Sequence, residues 1–479
     1  MSTASITTCD DGKVLSKGLD HRTVWRWHFY AGLFCIPFVL WLAITGTIFL
    51  FHPQIQQWLD RPFDHLSTAG TEATVNAQVE TALATIPGSS LRAYQLPYTA
   101  HTPAQILIDK APNEFRVYVD PRTLQVLKTD NEDRRIDTFI SRLHGELLIG
   151  KYGSWIVELA ASWAVVMILT GLFLWWPRNT RGLAGVLYPR LRQGRRTFWR
   201  DIHSITGIYV SFFALFLLLT GLPWAKSWGA YLKAARHLSN GHAVKQDWTT
   251  SSADVIAARA AHSSGDMSSM AGMNMRGTDS EQHASHSHHQ SAIATGPNAY
   301  IAIDKMVATI APLGLANPVL ISPPSQPGGN WTAKSDTRDR PLRVDLILDP
   351  ETGAILKRTD FDSRPWLDRA IGTGIAAHEG QLFGLANQLL GLFTTIGLVT
   401  LSLSGLVMWW RRKPESTLGA PAPIRRIRFS PGLIALLIAF GLYFPFLGCS
   451  MILIVLTERF FLRRFPTTQR WLGLRSEQA

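Results

Sequence analysis

Cysteine is scarce in this sequence: there are three in 479 residues, and two of them, Cys35 and Cys449, lie inside apolar runs. That excludes a disulfide framework and any zinc or iron–sulfur centre held by cysteine. Charge is scarce as well. Asp, Glu, Lys and Arg make up 17% of the chain, against about 25% in a soluble globular protein, which argues against a cytosolic enzyme. What the chain has instead is 46% hydrophobic residues, with 17 Trp and 23 Phe. Such a composition suits lipid interfaces or large planar ligands.

Five nearly uncharged runs reach the ~20 residues that cross a bilayer as helix: 29–51, 153–176, 205–224, 385–410 and 432–456. The first follows a polar stretch and has no small-residue cleavage site, so it reads as a retained span. The net charge of +12 is explained by where it sits. Lys13, Lys17, Arg22 and Arg26 precede the first run. Arg178, Arg181, Arg190, Arg192, Arg195, Arg196 and Arg200 fill the link after the second. Arg411, Arg412, Lys413, Arg425, Arg426 and Arg428 follow the fourth. Placing all three clusters in the cytosol satisfies the positive-inside rule, so the basic excess reports topology and no nucleic acid is expected as a partner. The long connections then lie outside, in a bacterial periplasm. The fifth run fits less well, because a full crossing leaves Arg459, Arg463, Arg464, Arg470 and Arg475 outside. A hairpin breaking near Pro445 would avoid this. A full crossing is still expected, since 25 apolar residues are too few for two spans.

The chain is written twice. His144, Gly150, Gly171, Trp175 and Trp176 recur as His378, Gly384, Gly405, Trp409 and Trp410, each displaced by 234 residues. His28, Gly32, Thr45 and Gly46 recur as His203, Gly207, Thr220 and Gly221, each displaced by 175. The run RVYVDPRTLQVLKTD (116–130) resembles RVDLILDPETGAILKRTD (343–360), and both read as β-hairpins around an Asp-Pro turn. The expected fold is therefore a mainly α membrane protein: a duplicated helix bundle of about five spans with two periplasmic α+β domains. In order, this gives a cytosolic segment 1–27, span 28–52, outer domain 53–143, span 144–177 and basic loop 178–202. There follow span 203–225, outer domain 226–377, span 378–411, loop 412–430, span 431–457 and tail 458–479. A Ser-, His-, Met- and Gly-rich insertion at about 240–297 is expected to be disordered.

Topology sorts the four repeated histidines into two pairs: His28 with His203 at the cytosolic edge, and His144 with His378 on the outer side. About 18 residues of helix, near 27 Å, keep the pairs apart. Two imidazoles facing across a pseudo-two-fold axis, twice, in an aromatic-rich bundle, suit haem, whose iron takes one axial imidazole from each side. Two haems would make an electron path across the membrane. Gly32, Gly207, Gly145 and Gly380 leave room for a porphyrin edge, and Arg142, Arg200 and Arg369 are candidate propionate partners. A non-haem metal site is the rival, but neither pair brings a carboxylate cluster. Glu146 and Glu379 stand beside the outer histidines as proton or substrate groups, or as solvated surface. His52 has no counterpart in the other half and is read as interfacial, with a role at the outer haem as the alternative. Glu158, the only acid well inside a span, is a proton-relay candidate or a shallow carboxylate. In the insertion, Met267, Met270, Met273 and Met275 lie near His286 and His288, a set suited to soft ions such as Cu(I).

The strings LHGELLIG, TGLFLWWPR, WRDIHSITG, AAHEGQLFG and SGLVMWWRRKP resemble the PepSY-associated transmembrane family, over about residues 20–460 without the insertion. That family includes bacterial inner-membrane ferric-siderophore reductases of the ferrioxamine-reductase type. The resemblance implies an inner-membrane reductase with two haem b groups, two outer PepSY domains, and ligands at His28, His144, His203 and His378. The Met-rich insertion departs from the pattern and keeps a copper-linked role open. The expected activity is reduction of a ferric siderophore in the periplasm. No Gly-x-Gly-x-x-Gly follows a strand pattern, and no cytosolic segment is long enough for a flavin or nicotinamide domain. The electron donor is thus expected to be a separate cytosolic reductase or a membrane quinol. Two other functions stand beside this one: a periplasmic copper-handling protein, and a non-enzymatic scaffold whose PepSY domains bind peptides.

Overall fold

The computed structural model describes residues 21–177, 182–240, 300–324, 328–421 and 431–474. Among the described residues, four helices are long and apolar enough to cross a membrane: α1 (His21–Leu50), α5 (Lys151–Trp175), α6 (Gly194–Gly221, extended by a turn to Trp224) and α10 (Leu385–Arg412). Between them run α2 (His52–Asp60), α3 (Val75–Thr85), α4 (Ile136–Glu146), α7 (Lys226–Asn240), α8 (Ile303–Ile310) and α9 (Trp366–His378). The chain divides into two compact units. One is helical, built from 1–46, 145–231 and 392–479; the other, from 47–144 and 232–391, carries all the strands.

In the helical unit the glycine repeat sets the helix spacing. Gly32 of α1 lies against Met167 of α5, and Gly207 of α6 lies against Leu401 of α10 at the matching positions. The indoles Trp175 and Trp409 hold the chain leaving each span, donating from Nε1 to the carbonyls of Val186 (3.2 Å) and Leu418 (2.9 Å). The repeated Trp is therefore a loop anchor in both halves.

The fifth apolar run does not form one crossing helix. It breaks into α11 (Pro431–Tyr443) and α12 (Pro445–Leu456), of 13 and 12 residues, about 20 and 18 Å long against the ~30 Å of a bilayer core. Pro445 offers no N–H and pushes the preceding residue out of the helical region; Phe444 has φ −116° and ψ 84°. Two glycines then let the arms touch, since a Cβ on Gly448 would sit 3.0 Å from Gly441 Cα. The chain returns to where it set out. Trp471 O accepts from Leu418 N (2.8 Å), and Gly473 O accepts from Arg26 Nη1 (2.9 Å). The segment that carries Arg470 thereby rejoins the end of the unit that carries Arg26.

The other unit holds one eight-stranded antiparallel sheet in the order β4-β3-β2-β1-β5-β6-β7-β8. Its strands are β1 (Ser90–Gln95), β2 (Ala104–Lys110), β3 (Asn113–Val119) and β4 (Val126–Asn131), then β5 (Val319–Ser322), β6 (Trp331–Ser335), β7 (Val344–Leu348) and β8 (Ile355–Asp360). The two outer segments, expected as separate domains, instead join at β1–β5, where Tyr94 pairs Ile321 and Gln95 pairs Leu320. The reason is a shared core. Val79 and Ala82 of α3 and Ile303, Met306 and Ile310 of α8 belong to one buried cluster with Ile106, Val117, Ile321 and Leu346, each large side chain worth about 2 kcal/mol. Asp304 Oδ1 of the second half also accepts from Val75 N of the first (2.6 Å), at the start of α3. The expected hairpins are present in both halves: Asp120 N and Asp349 N donate to Gln125 O and Ala354 O, both at 2.9 Å. Leu124 takes φ +58° where the second half has Gly353 at +73°.

Candidate functional site

His28 sits in the second turn of α1 and His203 on α6, both part-buried in the helical unit. Their ring centroids are 6.3 Å apart and the ring planes cross at 81°. His28 Nδ1 bonds Met167 O (3.0 Å) and Thr170 Oγ1 (3.2 Å); His203 Nδ1 bonds Leu401 O and Ser404 Oγ, both at 3.1 Å. Met167 and Leu401, like Thr170 and Ser404, are 234 residues apart, so the hydrogen-bond shell repeats along with the rings. A carbonyl only accepts, so each Nδ1 carries the proton and each Nε2 keeps its lone pair. This is the tautomer a metal-bound histidine needs.

The repeated glycines of α5 and α10 now have a reason. A Cβ at Gly171 would stand 3.0 Å from His28 Cε1, and one at Gly405 would stand 3.4 Å from His203 Cε1. Each forms a notch for an imidazole. Gly32 and Gly207, expected to admit a porphyrin edge, instead face Met167 and Leu401, and Gly145 faces open space.

The spacing tests whether a haem fits. An imidazole nitrogen lies about 2 Å from a first-row metal and about 1 Å from its own ring centre, so two axial rings place their centroids about 6 Å apart. The observed 6.3 Å agrees. Among the described residues there is no group of three or more His, Cys, Asp or Glu able to hold a metal ion. Two imidazoles alone suit a metal that arrives with its own equatorial donors.

The second pair lies in the sheet-bearing unit. His144 is near the end of α4, and His378 ends α9. Burial, and then the charge of His378, push the His144 imidazole down to about 4, so the rings are electrostatic neighbours and His144 is neutral at pH 7. The turn after His378 is fixed by α10, where Asn387 Nδ2 donates to Ala377 O (2.9 Å) and Gln388 Nε2 to Leu50 O (2.9 Å). Gly150 and Gly384, the repeated residues just before α5 and α10, have φ +62° and +55°, which side chains rarely adopt.

The remaining candidates separate. Arg200 is exposed and pairs with Asp201 (3.0 Å); Asp201, wholly buried, also takes three hydrogen bonds from Arg190. Arg142 and Arg369 are exposed. Glu146 pairs with Lys226 (3.1 Å), and Glu379 is buried. Glu158 accepts from Trp228 N (3.3 Å) while Ser154 Oγ accepts from Lys226 N (3.3 Å), so both cap the first turn of α7. Met267, Met270, Met273, Met275, His286 and His288 lie outside the described residues.

His52 is 8% exposed, and neither ring nitrogen has a hydrogen-bond partner. Burial first, then Arg338, hold its imidazole down at about 4 against the pull of Asp137. Sequence reasoning missed Arg135, whose counterpart after the second hairpin is Arg364, and Arg338, which belongs to no repeat position. It also missed Met167, Thr170, Leu401 and Ser404, which extending the 234-residue offset would have found.

A family model described as the PepSY-associated TM region matches residues 25–412. The chain belongs to this family. Among curated proteins, none matches. The matched region takes in α1, α5, α6 and α10 with all four repeated histidines, so the imidazole pairs are part of the family region and not an addition to it.

Proposed function

We propose that this family member is a di-haem electron-transfer protein of the bacterial inner membrane that reduces ferric siderophores on the periplasmic side and releases Fe(II). The observation that carries this reading is the His28–His203 pair, with a spacing of 6.3 Å and Nδ1 atoms bonded to carbonyls on the neighbouring spans. His28 and His203 would hold one haem b, and His144 and His378 the other. When bound, haem supplies a one-electron carrier that works in an apolar medium.

The chain's own part is to keep that carrier still. Thr170 and Ser404 hold the imidazoles at Nδ1, leaving Nε2 as the atom that would bind the metal, and Gly171 and Gly405 leave room for the ring edges against α5 and α10. Ligands locked in this way change little between oxidation states, so little reorganisation opposes electron transfer. The substrate chemistry follows from affinity: siderophores hold Fe(III) far more tightly than Fe(II), so one electron frees the iron and leaves the chelator intact. The donor is a separate reductase or a membrane quinol.

An absorption spectrum of detergent-purified protein, before and after dithionite, tests this. The expected result is a b-type α-band and about two haems per chain by pyridine hemochrome. A colourless preparation from haem-replete cells refutes the reading and favours a peptide-binding scaffold.

A further inference from the structure

One group of buried polar atoms in the sheet-bearing unit makes no hydrogen bond inside the protein. His52, at the start of α2, has both ring nitrogens unbonded although it is buried. Phe49 stacks on it, with centroids 6.2 Å apart and planes 25° apart. The Arg338 guanidinium lies 5.0 Å from the Phe49 centroid, and its Nη1 is buried with no hydrogen-bond partner. Asp137 Oδ2 stands 3.7 Å from His52 Nε2, at ion-pair but not hydrogen-bond distance, while its other oxygen, Oδ1, takes Arg135 Nε at 3.3 Å. Arg135 also meets Glu132, and Arg116 meets Glu132 as well. Arg135 and Arg338 thus both act on the Asp137 carboxylate, and Arg338 Nη1 still has no hydrogen-bond partner. A guanidinium nitrogen and an imidazole that are buried without hydrogen bonds are costly unless a ligand completes both.

We infer that His52 and Arg338 form a binding pocket for one carboxylate group, with the Arg135–Asp137 pair as its wall. A carboxylate accepts from both the guanidinium Nη1 and an imidazole N–H. Asp137 and His144 lie two turns apart on one face of α4, about 10 Å along the helix. Two carboxylates can reach this place: a propionate of the haem held by His144 and His378, or a carboxylate of the bound ferric chelate. The choice of source rests on the di-haem reading; the pocket itself does not.

The test compares purified wild type with Arg338→Gln and His52→Gln. It reads haem content, the two midpoint potentials, and KM for ferric citrate against a neutral ferric hydroxamate. If a propionate fills the pocket, the variants move one midpoint potential and release that haem about tenfold more readily, with both KM values unchanged. If the chelate fills it, the potentials stay and KM rises about tenfold for ferric citrate alone. Arg338→Lys, which keeps the charge, restores most of either effect, whereas a residue that merely supports the fold would move only the melting temperature. No change in potentials, haem content or KM overturns the proposal. Should the wild type be colourless, sodium propionate must raise its melting temperature above that in equal sodium chloride, and must fail to do so in Arg338→Gln. Equal melting in the two salts overturns the pocket independently of the haem reading.

Discussion

Each histidine pair is made of two residues in equivalent places of a duplicated chain, yet the two pairs are held differently. His28 and His203 are fixed from across a helix interface, each by a carbonyl, a hydroxyl and a glycine notch on the facing span. His144 and His378 stand near helix ends, and the turn after His378 is fixed by side chains of α10. Rigid spans thus set the first pair, while turns and caps set the second. The halves differ again at the position after the first span of each. His52 corresponds, by the 175-residue offset, to Ser227. Ser227 lies in the first turn of α7, which Glu158 and Ser154 cap, whereas His52 has unbonded nitrogens beside Arg338. Duplication supplied the frame, and the asymmetry marks where one half does something the other does not.

Ligand removal bears on this contrast most heavily. His203→Ala should cost one haem of two and leave the other spectrally intact, and His378→Ala should cost the other one. Loss of both from either variant would mean that the pairs are not independent, as redox-resolved spectra would show. The glycine notches sharpen the comparison. Gly171→Ala places a methyl 3.0 Å from His28 Cε1, and Gly405→Ala places one 3.4 Å from His203 Cε1. The first ring must shift by a few tenths of an ångström, while the second barely needs to move. Gly171→Ala should therefore change the low-spin electron paramagnetic resonance signal of this haem more than Gly405→Ala does. Equal effects would count against the notch.

The difference between the units also explains what could be read in advance. Helix spans, the Asp-Pro hairpins and the histidine pairing rest on period and repeat, which survive in one dimension. The joining of β1 to β5 does not, because it depends on which edge of each half is left unpaired and on a core shared by α3 and α8. The break at Phe444 was visible as Pro445, but hydropathy alone favoured a single span. The Gly441–Gly448 contact that tips the balance appears only after folding. Arg338 was illegible for a simpler reason: it has no counterpart in the repeat and is close to His52 only in space.

Acid should expose the asymmetry as a stability effect. His52 is held at about 4 by burial and Arg338, against about 6.5 in an unfolded chain. Its folded pKa is depressed, so the stability it contributes is complete above about pH 6.5 and is lost as pH falls towards 4, where the unfolded chain binds the proton first. Between pH 7 and pH 5 this amounts to about 2 kcal/mol. In His52→Phe the melting temperature should fall correspondingly less over that range. An unchanged pH slope would mean that His52 is not buried neutral.

The smallest effect comes at Glu158, which caps α7 of the other half. Read from the chain alone it is an intramembrane acid and a proton-relay candidate, but the structure places its carboxylate on the amides that open α7. Glu158→Gln keeps an acceptor oxygen at the same place and loses only the charge at the helix N-terminus, a cost of about 1 kcal/mol. Glu158→Ala loses the acceptor too, leaves the Trp228 amide unsatisfied, and should cost about 1 kcal/mol more. A relay makes the opposite prediction. Gln cannot carry a proton, so Glu158→Gln would then be as damaging as Ala and would flatten the pH dependence of chelate reduction. Measuring that profile in the two variants decides between a cap and a relay; a cap requires wild-type pH dependence in both and a graded loss of melting temperature.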